Sequence, residues 1–134
     1  MTKGQRLAEA SKAFLGVRFV LHGRDPATGL DCVGLVVASL QAVGAKVNDP
    51  VGYGLRNTSI SRWLKCAAGS GLTPATGPIG TGDIILCQSG PSQHHLMIAL
   101  DHTRAIHAHA GLRRVVEQPF EEQESPVLTW RLSD

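Results

Sequence analysis

Apolar Leu7, Ala10 and Phe14 recur at helical spacing between Lys3 and Leu15, and Gly16 follows as a stop. That pattern predicts a first helix. From His22 to Gly29 the periodicity breaks at Gly23, Asp25-Pro26 and Gly29, residues that favour turns, so a loop is expected. The next stretch, Cys32 to Val43, is apolar nearly all round. Asp31 precedes it as a good N-cap and Gly44 follows as a stop. A helix apolar on every side must be buried. Asn48 to Asn57 reads as loop. A third helix is expected from Ser59 to Ala68, with Ile60, Trp63, Leu64 and Ala67 on one face. Leu72 to Thr81, with its prolines and glycines, reads as loop.

Beyond that point the period changes from helical to alternating. Short apolar runs occupy Asp83 to Cys87, His95 to Leu100, Ala105 to His109, Arg113 to Glu117 and Val127 to Leu132. Brief links between them favour antiparallel neighbours. Helices first and strands later define an α+β class rather than a parallel α/β sheet. The expectation is one domain over residues 1–134, its N-terminal helices packed on a C-terminal antiparallel sheet of about five strands.

Composition narrows this picture. A chain of 134 residues with 43% hydrophobic and 18% charged residues can bury one core. A formal net charge of +2 without a basic stripe does not predict nucleic-acid binding. The longest near-continuous apolar run, Val33 to Leu40, falls far short of the roughly 20 residues a membrane span needs. Met1 to Gly16 lacks the apolar stretch of a secretory signal. Synthesis in the cytoplasm is therefore expected. The three cysteines, Cys32, Cys66 and Cys87, are an odd count and are expected to be free thiols.

Cys32 stands out because it falls in the first turn of the buried helix. A helix N-terminus offers partial positive charge and unpaired N–H groups, which favour a nucleophilic thiolate. The plain alternative is a small buried core residue. A thiolate needs a base, and the base needs an orienting group. Of the six histidines, His95 starts a strand and His107 lies in the next one. Alternation places His95 with Met97 and Ala99 on one side, and His107 with Ala105 and His109. Paired antiparallel, the two strands bring His95 and His107 together. A zinc site from His107, His109, His94 or His95 and a cysteine is a competing reading, without any closely spaced cysteine pair to support it. His22 and His102 fall in expected loops and receive no role.

These residues resemble the signatures of the NlpC family of cell-wall cysteine peptidases. Asp31-Cys-Val-Gly-Leu-Val36 is similar to that family's Asp-Cys-Ser-Gly-Leu-Val. Gly82-Asp83-Ile-Ile-Leu86 is similar to its Gly-Asp-Leu-Val-Phe strand. His95-Leu-Met-Ile98 resembles its His-Val-Gly-Ile, and Ile106-His107-Ala108 its Ile-His-Ala. The four occur in the family's order over most of the chain, from about Phe14 to Glu117. The stretch around Gly23-Arg24, Leu30 to Leu35, and the Trp130-Arg131 pair look like the short branch found in phages and gene transfer particles. Members of that branch are regarded as cell-wall peptidases of the tail tip.

The resemblance implies a papain-like α+β core and hydrolysis of peptidoglycan stem peptides, commonly between γ-D-glutamyl and diaminopimelate. It implies Cys32 as nucleophile, His95 as general base and acid, and His107 as the residue orienting His95. Asp31 would cap the helix and hold the nucleophile's backbone. Phe19 stands where many members carry a site tyrosine, Val33 where a serine is common, and Met97 where a glycine is common. His94 adjoins His95; strand parity and the following Leu-Met-Ile favour His95 as the base. Arg24, with Arg56 and Arg62, could meet stem-peptide carboxylates. No metal or organic cofactor is required, and phage-tail hub proteins are the partners the branch implies. Two further readings stay open: a structural tail-assembly protein with this fold and little activity, and a thiol amidase or acyltransferase acting on another substrate.

Overall fold

The structure, a computed structural model, describes residues 1–47, 69–90, 93–120 and 125–132. The loop expected at Asn48 to Asn57, the helix expected at Ser59 to Ala68, Arg56, Arg62 and Cys66 lie outside the described residues.

Helix α1 covers Lys3–Lys12 and opens with a capping box between Thr2 and Gln5. Its buried side carries Leu7, Ala8 and Ser11. It stops before Leu15 because the chain tightens. Ala13, Phe14 and Leu15 each donate to a carbonyl three residues back, as in 3₁₀ turns. Gly16 then turns with φ +88° and donates to Val115 O at 2.9 Å. Strands β1 (Arg24–Asp25) and β2 (Gly29–Leu30) form a small antiparallel hairpin inside the stretch expected to be loop. The turn residues are where the sequence placed them; the pairing of their flanks is what it did not reveal. Helix α2 follows at once, Cys32–Ala42, with every residue from Val33 to Leu40 buried.

The rest is a six-stranded sheet, one strand more than expected. Its strands are β3 (Leu72–Pro74), β4 (Ile84–Gly90), β5 (Gln93–Ala99), β6 (Arg104–His109), β7 (Arg114–Pro119) and β8 (Ser125–Leu132), in the order β3-β8-β4-β5-β6-β7. All its pairings are antiparallel. The additional strand is β3, within the expected loop Leu72 to Thr81. It is a short edge strand, where a proline such as Pro74 is tolerated, and it pairs with β8.

Alternation divides the sheet's two faces. Leu86, Leu96, Ile98, Ile106, Ala108 and Trp130 join Leu7, Val33, Leu35 and Leu40 in the main core under the helices. Ile85, Cys87, Met97, Ala99 and Ala105 form a second apolar cluster. At the end nearest α1, Asp83 is fully buried. The Arg131 guanidinium donates to both its oxygens, Nε to Oδ1 and Nη2 to Oδ2, each at 2.8 Å. The Gly80 N–H donates to Oδ2 as well. Among the described residues no helix is long and apolar enough to cross a membrane.

Candidate active site

Asp31 organises the start of α2. Its Oδ1 accepts from the Gly34 N–H at 2.8 Å, which caps the helix. The same oxygen meets Arg24 Nη1 at 3.0 Å, and Oδ2 accepts from the His22 N–H at 2.8 Å. One buried carboxylate thus fastens the helix to the β1–β2 hairpin and the loop before it. The packing is close: a Cβ on Gly34 would lie 2.0 Å from the Gly23 carbonyl oxygen, so only glycine fits there.

Cys32 is the first residue held by this clamp. It is partly exposed, packs on the main core and carries a free thiol. Backbone N–H groups of Leu96 and Val33 reach its sulfur. Leu96 is the residue after His95, so the helix start abuts β5 beside the candidate base. The sheet is open at this point. The β5–β6 ladder pairs Ile98 with Ile106 and Ala99 with Ala105. β6 runs on to His109 with β7 as its partner, and β5 runs back to Gln93 with β4. The strands part beyond Ile98, and the thiol comes to the parted edge of β5.

The expectation that the helix start would favour a thiolate in the resting protein is corrected by the surroundings. Burial first, and the Asp31 carboxylate second, push the Cys32 thiol from its ordinary 9.0 up to about 11. The Leu96 and Val33 N–H groups and Arg24 pull the other way and do not prevail. A small part of Cys32 reaches the surface, but the sulfur is crowded on most sides, and the crowding dominates. The sulfur therefore rests as a neutral thiol at neutral pH.

The imidazoles come from the sheet. His95 lies opposite Cys87, and therefore on the face that carries the second apolar cluster. His107 follows the same parity between the core residues Ile106 and Ala108. Their ring centroids are 5.6 Å apart with planes tilted by 33°. His107 is buried, and the Nε2 atom of His95 is shielded from solvent. His107 Nε2 lies 2.8 Å from Gln118 Oε1 on β7. His109 continues the row, its ring 5.3 Å from that of His107, and its Nδ1 accepts from the Leu112 N–H at 3.0 Å. Among the described residues no three His, Cys, Asp or Glu side chains converge as a metal-holding group.

The remaining sequence candidates fall nearby. Phe19 is partly buried against the main core and bridges to Leu30, immediately before Asp31. Arg24 is engaged with Asp31 and, at 3.2 Å, with the Gly23 carbonyl oxygen. Val33 is buried in the main core and Met97 in the second cluster. The sequence reading missed two participants. His22 lends its backbone N–H to Asp31, a role that no side-chain motif signals. Gln118 sits one residue beyond the expected end of its strand, on the same face as His107. Extending the alternation of β7 by that residue would have found it.

An α+β fold with a cysteine at the start of a buried helix and a pair of histidines on the sheet beside it defines a particular class of protein. A model of the NlpC/P60 family matches residues 16–129. The chain belongs to the NlpC/P60 family, whose members are commonly peptidoglycan hydrolases. Solved structures share the fold. The NlpC/p60 domain of the peptidoglycan hydrolase SagA is 22% identical with a TM-score of 0.64, covering 96% of this chain and 97% of that one. NlpC2 from Trichomonas vaginalis is 20% identical with a TM-score of 0.71, covering 96% of this chain and 46% of its own. An NlpC/P60 family protein from Bacillus cereus is 19% identical with a TM-score of 0.70, covering 98% of this chain and 40% of its own. The chain thus spans less than half of these last two proteins. No match was found among curated proteins.

Proposed function

We propose that this chain is a cysteine endopeptidase that hydrolyses amide bonds of peptidoglycan stem peptides, with Cys32, His95 and His107 as its triad. The observation that carries the reading is the meeting of the Cys32 sulfur with the N–H of Leu96, next to His95, while His95 and His107 stand 5.6 Å apart. Because the thiol rests neutral, its proton passes to His95 as the sulfur attacks the amide carbon. The oxyanion is held by backbone N–H groups at the start of α2. The Gly34 N–H is already taken by Asp31, so those of Cys32 and Val33 are the donors within reach of the reacting sulfur. His95 then protonates the leaving amine, and the acyl-enzyme is cleared by water activated at the same ring. His107 accepts the other N–H of His95 and fixes its orientation.

The bond we favour is γ-D-glutamyl–diaminopimelate, and delivery on a phage-type tail, in contact with hub proteins, is the setting we favour. The test is digestion of purified muropeptides, with products identified by mass spectrometry. The native protein should cut within the stem peptide, and Cys32→Ala and His95→Ala should abolish the cut. Intact muropeptides after exposure to native protein would remove the substrate assignment.

A second reading, a structural tail protein of this fold with weak catalysis, is favoured by one observation, the thiol pushed up to about 11. Under it, particles carrying Cys32→Ala infect as well as native ones.

A further inference from the structure

We infer that Gln118 is a positioning residue that sets the tautomer of His107, so that His107 can act only as a hydrogen-bond acceptor toward His95. The inference rests on the triad proposed above and adds a fourth member to it. A neutral imidazole has one N–H and one bare nitrogen, and whichever partner engages one nitrogen decides the state of the other. Gln118 Oε1 lies 2.8 Å from His107 Nε2. A carbonyl oxygen only accepts, so the His107 proton sits on Nε2 and Nδ1 keeps its lone pair. That lone pair is what an N–H of His95 requires, both at rest and when His95 becomes an imidazolium.

The fold makes this contact a consequence of register. His107 pairs with Val116 across β6 and β7, and Gln118 pairs with Ala105. Gln118 is therefore the diagonal neighbour of His107 on the same face, at the distance a long side chain spans. His107 is buried, so bulk water does not compete for its Nε2–H. On its other side stands His109, whose Nδ1 is occupied by the Leu112 N–H. The groups facing His107 are thus two imidazoles and a neutral amide.

The neutrality of the amide matters. A carboxylate at position 118 would also accept from Nε2, and would be the stronger acceptor. It would also favour the cationic ring, with a proton on both nitrogens. Nδ1 would then have nothing to offer His95. A residue that merely ties β7 to β6 tolerates Gln118→Glu; a residue that sets a tautomer does not.

The experiment uses the full chain, with histidine rings labelled with ¹⁵N, in native, Gln118→Leu and Gln118→Glu forms. In native protein at pH 7 the His107 ring should show a proton on Nε2 and none on Nδ1. Gln118→Leu should release that preference. It should slow iodoacetamide labelling of Cys32 by about tenfold, since a freed ring still samples the useful tautomer part of the time. Gln118→Glu should carry protons on both His107 nitrogens at pH 7. It should label as slowly as Gln118→Leu there and recover as alkaline pH strips the extra proton. A native His107 protonated on Nδ1, or a Gln118→Glu protein that labels like native at pH 7, overturns the inference. An amide spectrum of each variant confirms the fold. Muropeptide cleavage is scored separately, so absent cleavage beside the expected tautomer and labelling defeats the substrate assignment alone.

Discussion

Helices α1 and α2 both begin with an oxygen-bearing side chain that caps the first turn, and the two caps differ in everything around them. At α1, Thr2 accepts from the Gln5 N–H at 3.1 Å, and the Gln5 side chain accepts from the Thr2 N–H at 2.8 Å. Both residues are exposed, and the cap contacts nothing else. At α2, Asp31 is buried, and its carboxylate gathers a helix N–H, a loop N–H and a guanidinium from three parts of the chain. A cap in water closes a helix. A cap out of water fixes where the helix starts in the whole molecule, and here the residue after it is the candidate nucleophile. The contrast shows why one capping motif is tolerant of change and the other is not.

The harshest way to break the contrast is Asp31→Ala. It leaves a guanidinium and two N–H groups unsatisfied in a largely buried place. It should lower unfolding free energy by roughly 3 kcal/mol or more, read from urea denaturation. Asp31→Asn, which keeps an acceptor but not the charge, should cost less. Gly34→Ala comes next. Its methyl collides with the backbone of Gly23, so the first turn or the hairpin must shift, costing about 1–3 kcal/mol. The same variant should lose the reactivity of Cys32 while keeping the helix content seen by circular dichroism.

The thiol gives the comparison a pH dependence. Unfolded, Cys32 releases its proton at its ordinary 9.0; folded, it holds it to about 11. Between those values the unfolded chain binds fewer protons, so stability falls as pH rises from 9 to 11. The loss should be on the order of 2 kcal/mol, present in native protein and missing in Cys32→Ser, when both are melted across that range. The smallest effect belongs to α1. Thr2→Ala should cost about 1 kcal/mol and leave the alkylation rate of Cys32 untouched.

Much of this was legible in the chain. The all-round apolar run from Cys32 to Val43, with Asp31 before it and Gly44 after it, determined a buried capped helix, since no other arrangement hides so many apolar side chains. Period-2 runs determined most of the strands and the shared face of His95 and His107, because side-chain alternation is local geometry. Local signals did not reveal β3, whose residues gain strand character only by pairing with β8. They did not reveal that the expected loop around Gly23 holds a hairpin clamped to Asp31. They also misjudged the resting state of the thiol. A helix start is visible in sequence, but the burial around Cys32 is a sum over residues distant in the chain. Gln118 makes the same point: its place beside His107 follows from the register of β6 on β7, which only the assembled sheet sets. What depended on each residue and its near neighbours was written in the sequence. What depended on which strands lie side by side, and on how much of the chain closes over a given atom, was decided by the tertiary structure.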